Sequence, residues 1–277
     1  MTIFQAAILG AVEGLTEFLP VSSTGHLILA ARAMGLVGEV MNAFEIVIQA
    51  GALLAVLWLY RARVLQVLAG VARPRSGGGL LLLKLLVAFL PAAIVGLALH
   101  HAIERHLFGP RPVAIALLLG GVVMVIFERV RRARGGTPRF DSVDAIPLTV
   151  ALWIGIFQCA SLWPGMSRSM VTILGGLILG CSAVAAAEFS FLLALPTLGA
   201  ATLFDFVKHK DALLHGGEVG KAAILTGLVV AAVVAAIAIR SFLRYLTRHG
   251  LTLFGWYRIV LGVVLLVLLG RHVAGLP

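Results

Sequence analysis

The chain has 277 residues, of which 61% are hydrophobic and only 12% are charged. A soluble domain is about 45–50% apolar and about 25% charged, so this composition excludes a soluble globular protein and predicts several membrane-spanning segments. The formal net charge of +10 would suit a nucleic-acid-binding protein, but the basic residues lie mostly in short loops between apolar runs. That placement is typical of a membrane topology signal, and we expect no nucleic-acid partner.

The first predicted element is a broken helix over residues 3–36. Two apolar pieces are separated by the segment PVSSTG, residues 20–25, and each piece is too short for a full membrane crossing. A proline followed by serines and a threonine ends one helix and caps the next. We therefore predict a re-entrant hairpin, in which one half-helix enters the membrane and a second returns.

Three predicted spans follow this hairpin, and the second part of the chain repeats the same order. Residues 145–181 form a second predicted re-entrant hairpin, broken at PGMSRS, residues 164–169, and three more spans follow it. The six predicted spans share an apolar length sufficient to cross a bilayer and cover residues 42–60, 80–99, 112–128, 184–204, 221–239 and 252–270.

The repeated order predicts an inverted repeat, residues 3–130 and 145–270, within a single membrane domain of residues 1–277. In this alignment FLPVSS, residues 18–23, matches LWPGMS, residues 162–167. Three spans per half is an odd number, so the second half must be inverted, and such repeats place their site near the midplane. The expected fold class is an all-α polytopic membrane protein with six transmembrane helices and two re-entrant helical hairpins.

The basic residues predict the orientation of these elements. The loops 61–79, 129–144 and 240–250 lie on one side of the membrane and contain twelve arginines, whereas the opposite side has six basic residues. The positive-inside rule assigns the arginine-rich side to the cytoplasm. Both termini are then expected to face outward, and the first hairpin is expected to enter the membrane from outside.

Two acids lie in the first half-helix, where ionisable groups are costly. Glu13 and Glu17 are four residues apart, so their carboxylates share one helical face and repel each other unless a cation lies between them. An arginine would relieve that repulsion, and so would a divalent metal such as Mg²⁺, which binds one or two carboxylates together with phosphate oxygens. The alternative is that both acids merely solvate the half-helix at the outer interface.

Three hydroxyl residues, Ser22, Ser23 and Thr24, open the second half-helix of the first hairpin. Helix capping explains one of them, and three exceed what a cap needs. A helix N-terminus in a cavity of low dielectric constant binds anions. His26, three residues after Ser23, could transfer a proton in the physiological pH range, and its alternative role is packing through a hydrogen bond.

The second hairpin opens its returning half-helix with four polar residues, Ser167, Arg168, Ser169 and Thr172. Arg168 is the only basic residue between Arg139 and Lys208, and an arginine at membrane depth needs an anionic partner. Its planar fork suits a phosphate, or a carboxylate such as Glu13 or Glu17. A purely structural ion pair with those acids is therefore the alternative to phosphate binding.

Four further polar residues lie singly in apolar segments: Glu45, Gln49, Gln158 and Glu188. Each can hydrogen-bond between helices without any role in chemistry. They are weaker candidates for the site.

Two motifs carry a resemblance to a known family. EGLTEFLPVSSTGH, residues 13–26, resembles the first motif of the bacterial undecaprenyl-diphosphate phosphatases of the bacitracin-resistance type, and PGMSRSMVT, residues 164–172, resembles the second. FQC, residues 157–159, and AEFSFL, residues 187–192, are also similar to this family. The resemblance covers essentially the whole chain. It implies hydrolysis of undecaprenyl diphosphate to the monophosphate, which recycles the lipid carrier for peptidoglycan synthesis and confers bacitracin resistance.

The resemblance also implies dependence on a divalent cation, Mg²⁺ or Ca²⁺, and a site open to the periplasm. On this hypothesis Glu13 and Glu17 bind the metal, Ser23 or a water attacks, and His26 moves the proton. Phosphate is held by Arg168 and by the hydroxyl residues that open the two returning half-helices: Ser22, Thr24, Ser167, Ser169 and Thr172. The partners are a polyprenyl diphosphate and membrane lipid, and a homodimer stays open.

Two other functions stay open at this point. A transporter or flippase would use inverted repeats with broken helices, and it needs a binding site but no nucleophile. A structural or channel protein would leave Glu13, His26 and Arg168 without a task, so alanine at each would be harmless.

Overall fold

The computed structural model describes residues 1–36, 38–215 and 220–273. Within these ranges the chain forms eleven α-helices, two short 3-10 turns, Val143–Ala145 and Cys159–Leu162, and one isolated β-bridge. The α-helices in chain order are α1 (Ile3–Thr16), α2 (Ser23–Ala33), α3 (Glu39–Leu59), α4 (Arg61–Val71), α5 (Gly77–Leu107), α6 (Pro110–Arg134), α7 (Leu148–Gln158), α8 (Arg168–Ile178), α9 (Ala183–His215), α10 (Lys221–His249) and α11 (Thr252–Val273).

Five of these helices are long and apolar enough to cross a membrane, namely α5, α6, α9, α10 and α11, and each contains one of the predicted spans. The sixth predicted span, residues 42–60, corresponds to α3, which forms a bent apolar pair with α4. The expected class, an all-α polytopic membrane protein, is therefore confirmed.

Helix α4 is a feature that the sequence analysis missed, because residues 61–79 were assigned to a loop. The chain bends by 86° between α3 and α4. Arg61 at the start of α4 is exposed, and so are three apolar side chains of the same helix, Leu65, Leu68 and Val71. Arginines and exposed apolar residues on one short helix are typical of a segment in the membrane interface.

The first broken helix is confirmed as a hairpin. Helix α1 ends at Thr16 and α2 begins at Ser23. The Gln5 amide near the start of α1 donates to the carbonyl of Met34, just after α2, at 3.4 Å, so the two outer ends meet. Apolar residues of both helices share one buried cluster with α3 and α10: Ala6, Leu9, Leu27, Ala31, Met41, Phe44, Ile48, Ala223 and Ala231.

The second broken helix also doubles back. Helix α7 and the 3-10 turn after it precede the break, and α8 follows it. The N–H groups of Arg139 and Phe140 donate to the carbonyl of Gly180 at 2.8 and 3.2 Å. The N–H of Ser182 donates to the carbonyl of Phe140 at 2.8 Å. These bonds join the chain before α7 to the chain after α8, which closes the base of the hairpin.

Glycines let the entering half-helix of each hairpin pack closely on a spanning helix. A Cβ at Gly10 or Gly14 of α1 would collide with the backbone of α10, and a Cβ at Gly155 of α7 would collide with the backbone of α5 at Ala88. Small residues at such contacts let helices in membranes approach backbone to backbone. Both entering half-helices are fixed in this way.

The described residues form two compact units. The first contains Met1–Leu19, His26–Leu86 and Phe191–Ser241. The second contains Pro20–Gly25, Val87–Ser190 and the chain from Phe242 onward. Each unit combines segments of both predicted repeats, so the boundaries 3–130 and 145–270, and their inversion in the membrane, stay a prediction.

Candidate active site

The two acids of the first half-helix are buried. Glu13 is 2% exposed, and Glu17, which directly follows α1, is 8% exposed. Glu45 of α3 is close enough to Glu13 to repel it electrostatically, as Glu17 does. Burial of this extent disagrees with the alternative in which both acids only solvate the half-helix. Glu13 therefore has two acidic neighbours that repel its carboxylate within the first unit, Glu17 and Glu45.

Glu13 carries an acceptor that the described residues do not use. Its Oε2 atom is buried, and none of their donors forms a hydrogen bond with it. Carboxylate oxygens are the ligands that Mg²⁺ and Ca²⁺ prefer, so Glu13 and Glu17 fit a divalent cation. In the described part of the chain, no three His, Cys, Asp or Glu side chains are grouped so as to hold a metal ion.

The tip of the first hairpin places its hydroxyl residues around the start of α2. Ser22 has a backbone φ of 72°, which is uncommon for a residue other than glycine. Ser22 is buried, Ser23 is half-buried and Thr24 is exposed, and His26 is half-buried one turn further along α2. The first N–H groups of a helix have no intrahelical acceptor, so this turn is suited to an anion.

The tip of the second hairpin has the same construction. Ser167 has a φ of 72° and caps α8, since its hydroxyl accepts from the N–H of Met170 at 3.3 Å. The hydroxyl of Ser169 lies 3.0 Å from that of Ser167. The N-terminus of α8, like that of α2, is therefore surrounded by hydroxyl groups.

The backbone shows that the predicted alignment of the two tips was wrong by one residue. Ser22 and Ser167 share the positive φ, and each directly precedes its half-helix, whereas the prediction paired Ser23 with Ser167. The prediction matched serines by type, but the turn conformation decides equivalence. In the corrected register Ser23 corresponds to Arg168, so the two tips present different chemistry on the same backbone.

Arg168 is anchored on α9. Its side chain is 8% exposed, and its Nη1 donates to the carbonyl of Ser190 at 2.8 Å and to the hydroxyl of Ser190 at 3.2 Å. Thr172 Oγ1 lies 2.7 Å from the same hydroxyl and donates to the carbonyl of Arg168 at 2.8 Å. Ser190 thus orients the guanidinium, and Thr172, at 1% exposure, supports that arrangement from within.

Sequence reasoning missed Ser190 and Arg258 as site residues. Ser190 lies in the segment AEFSFL, where the motif similarity was the available signal. Arg258 of α11 is fully buried, and its guanidinium donates to three backbone carbonyls. A lone arginine inside the predicted span 252–270 was the signal for it, by the same argument that singled out Arg168.

The structure gives the weaker candidates different surroundings. The Thr202 hydroxyl donates to Gln49 Oε1 at 2.7 Å, which is the interhelical hydrogen bond of the structural alternative. Gln158 is fully buried at the end of α7, and Glu188 is half-buried on α9. Gln49 is thus accounted for by packing.

The serines of both tips lie in the second unit with Arg168 and Thr172, and Glu13, Glu17 and His26 lie in the first. Within the second unit the structure brings the two predicted phosphate-binding tips into one compact body. The predicted proximity of the acids to Arg168 stays a prediction.

Comparison with known proteins adds an independent finding. Residues 6–264 match the sequence model of the family described as bacitracin resistance protein BacA. An undecaprenyl-diphosphatase of Sorangium cellulosum is 54% identical over 95% of this chain and 85% of its own. One from Caldanaerobacter subterraneus is 44% identical over 98% and 97%, and one from Ectopseudomonas mendocina is 46% identical over 97% and 95% of the two chains.

Proposed function

We propose that this chain, which belongs to the bacitracin resistance protein BacA family, hydrolyses undecaprenyl diphosphate to undecaprenyl phosphate and inorganic phosphate. The observation that carries the proposal is the similarity, over nearly the whole chain, to relatives named undecaprenyl-diphosphatase. The chain is a multi-pass membrane protein of a bacterial family, and its place in the membrane gives it access to a lipid substrate. These names favour a hydrolase over the transporter and the structural protein considered from the sequence.

The diphosphate binds at the N-termini of α2 and α8, while the prenyl tail stays in lipid. Ser22, Ser23 and Thr24 surround one terminus, and Ser167 and Ser169 surround the other. Arg168 supplies the charge that a phosphate needs, and its fork is held by Ser190. Amide groups and a guanidinium fixed before the substrate arrives stabilise developing negative charge without reorganisation.

Glu13 and Glu17 hold a divalent cation, Mg²⁺ or Ca²⁺. The buried Oε2 of Glu13, which lacks a donor among the described residues, supports this part of the proposal. When bound, the cation offsets negative charge on the phosphate oxygens. Its positive charge would also offset the repulsion of the Glu13 carboxylate by the buried Glu17.

The nucleophile is the Ser23 hydroxyl or a water molecule. It attacks the terminal phosphorus, the bond from that phosphorus to the bridging oxygen breaks, and undecaprenyl phosphate leaves. His26, three residues after Ser23 on the same helix, accepts the proton of the nucleophile. If Ser23 attacks, water then hydrolyses the phosphoserine and restores the hydroxyl. Rapid quenching with a labelled terminal phosphate distinguishes the routes, because only the first leaves label on Ser23.

The protein lies in the inner membrane with its site open to the periplasm and both termini outside. The arginine-rich loops 61–79, 129–144 and 240–250 support this orientation. A reporter active only in the periplasm, fused after residue 277, should be active, and an inactive fusion would reverse the orientation.

The test of the function is phosphate release from undecaprenyl diphosphate by purified protein, with Mg²⁺ or Ca²⁺ and with chelator. We expect release that the chelator abolishes. Arg168→Ala should lower kcat/KM by about 10²–10³, the usual cost of losing one charge-stabilising donor. Arg134→Ala is the control, because it causes the same change of charge at an exposed arginine, and it should behave as wild type. Wild-type protein that releases no phosphate would refute the proposal.

A further inference from the structure

Arg258 joins the broken segments of the two hairpins. It lies on α11 and is 0% exposed. Its Nη1 donates to the carbonyl of Pro20 in the first tip at 3.3 Å, and its Nη2 donates to the carbonyl of Gly165 in the second tip at 3.0 Å. Nη2 also donates to the carbonyl of Ala116 on α6 at 3.2 Å. One guanidinium thus bridges both tips and a spanning helix.

The two tip carbonyls are equivalent positions of the two hairpins. Pro20 lies two residues before Ser22, and Gly165 lies two residues before Ser167, the two serines with a φ of 72°. Neither carbonyl belongs to a helix, so neither has a helical donor. Irregular backbone at membrane depth requires donors from the surrounding protein, and Arg258 supplies them to both tips.

A guanidinium is suited to this task because its donors point in fixed, divergent directions. A lysine ammonium is a single point of charge on a flexible stem, and it cannot span three carbonyls on separate segments in the same way. Space for the fork depends on Gly120 of α6, since a Cβ there would overlap Nη2 of Arg258 and approach Met170 Cε to 2.9 Å.

We propose that Arg258 is a positioning residue that fixes the two hairpin tips relative to each other, so that Ser23 and Arg168 address the same diphosphate. It acts through the Pro20 and Gly165 carbonyls and does not touch the substrate. This inference rests on the proposed phosphatase activity for its catalytic consequence, while the bridging itself has a readout that needs no activity.

The experiment compares four variants of the full-length protein with wild type. Arg258→Met removes the fork, Arg258→Lys keeps the charge, and Gly120→Ala crowds the fork without removing it. Gly262→Ala is the matched control, because its Cβ would approach Leu118 N to 2.9 Å and so crowd the same pair of helices without a contact to the guanidinium. Amide hydrogen exchange of the peptides covering 20–25 and 165–168 is measured with thermal unfolding, kcat and KM.

We expect exchange at both tips to accelerate at least about tenfold in Arg258→Met and Arg258→Lys, and to a smaller extent in Gly120→Ala. In the same variants kcat should fall by about 100-fold, the scale of an ångström-sized misplacement, with KM within about threefold of wild type. Gly262→Ala should lose thermal stability and keep both tip protection and kcat.

The inference is overturned if Arg258→Lys keeps the protection of the tips and the wild-type kcat. It is also overturned if Arg258→Met lowers the unfolding temperature without faster amide exchange at either tip. Should Arg258→Met not fold, wild-type amide exchange of both tips in Gly120→Ala overturns it. Failure of the proposed function looks different: wild-type protein would release no phosphate, while the exchange of the tips would still report on the bridging.

Discussion

Replacement of Ser190 by alanine tests whether the orientation of Arg168 matters for turnover. The Ser190 hydroxyl accepts from Arg168 Nη1 at 3.2 Å and lies 2.7 Å from Thr172 Oγ1, while the Ser190 carbonyl accepts from Nη1 at 2.8 Å. Ser190→Ala therefore keeps the charge of Arg168 and the bond from its Nη1 to the Ser190 carbonyl. It removes the bond between the guanidinium and the Ser190 hydroxyl.

A hydrogen bond to a charged group contributes about 1.5–3 kcal/mol, and each 1.36 kcal/mol in the barrier is tenfold in rate. If the lost bond orients Arg168 in the transition state, kcat/KM should fall by about 10- to 100-fold, less than for Arg168→Ala. Phosphate release from undecaprenyl diphosphate measures this. Ser182→Ala is the matched control, a serine at the start of the same helix whose hydroxyl caps the N–H of Ala185 at 3.2 Å. Wild-type kcat/KM in Ser190→Ala would refute the role of Ser190.

Two further substitutions and one labelling experiment test other features of the protein. Glu13→Gln removes a buried charge, so it should raise the thermal unfolding temperature in chelator. It should also lower metal-stimulated phosphate release at least tenfold, and undiminished stimulation would contradict metal binding at Glu13. Glycine adopts a positive φ without strain and alanine does not, so Ser167→Gly should be more stable than Ser167→Ala by about 1 kcal/mol in denaturant unfolding. Equal stability of the two variants would contradict strain at this turn. Burial raises the pKa of the Cys181 thiol, in the turn between α8 and α9, to about 11. Little thiolate then exists at pH 8, and iodoacetamide should label Cys181 slowly until the protein is unfolded in detergent, whereas rapid labelling of folded protein would show an open hairpin base.

The breaks in the two hairpins could be predicted because local chemistry decides them. A proline or a proline–glycine pair cannot continue a helix, and the hydroxyl residues after it cap the next one. The same reasoning located Arg168, since an arginine inside an apolar segment requires a polar environment that only the fold can supply. These features depend on residues within one turn of each other.

Features that depend on distant segments could not be predicted in this way. Arg258 and Pro20 are 238 positions apart in the chain, and which carbonyls the arginine meets follows from helix packing alone. Ser190 is an ordinary small polar residue until α9 lies beside α8. The register error between Ser22 and Ser23 arose because adjacent serines are chemically alike, and only the backbone conformation separates them.

The central claim is that both hairpin tips bind one diphosphate. The most direct measurement is a double-mutant cycle with Ser23→Ala and Arg168→Gln, read out as the Kd of a non-hydrolysable prenyl bisphosphonate in the presence of Mg²⁺. Groups that share one ligand couple, so we predict an interaction energy of at least about 1 kcal/mol between the two changes. Losses that add to within about 0.3 kcal/mol would mean that Ser23 and Arg168 act on separate sites, and would contradict the account.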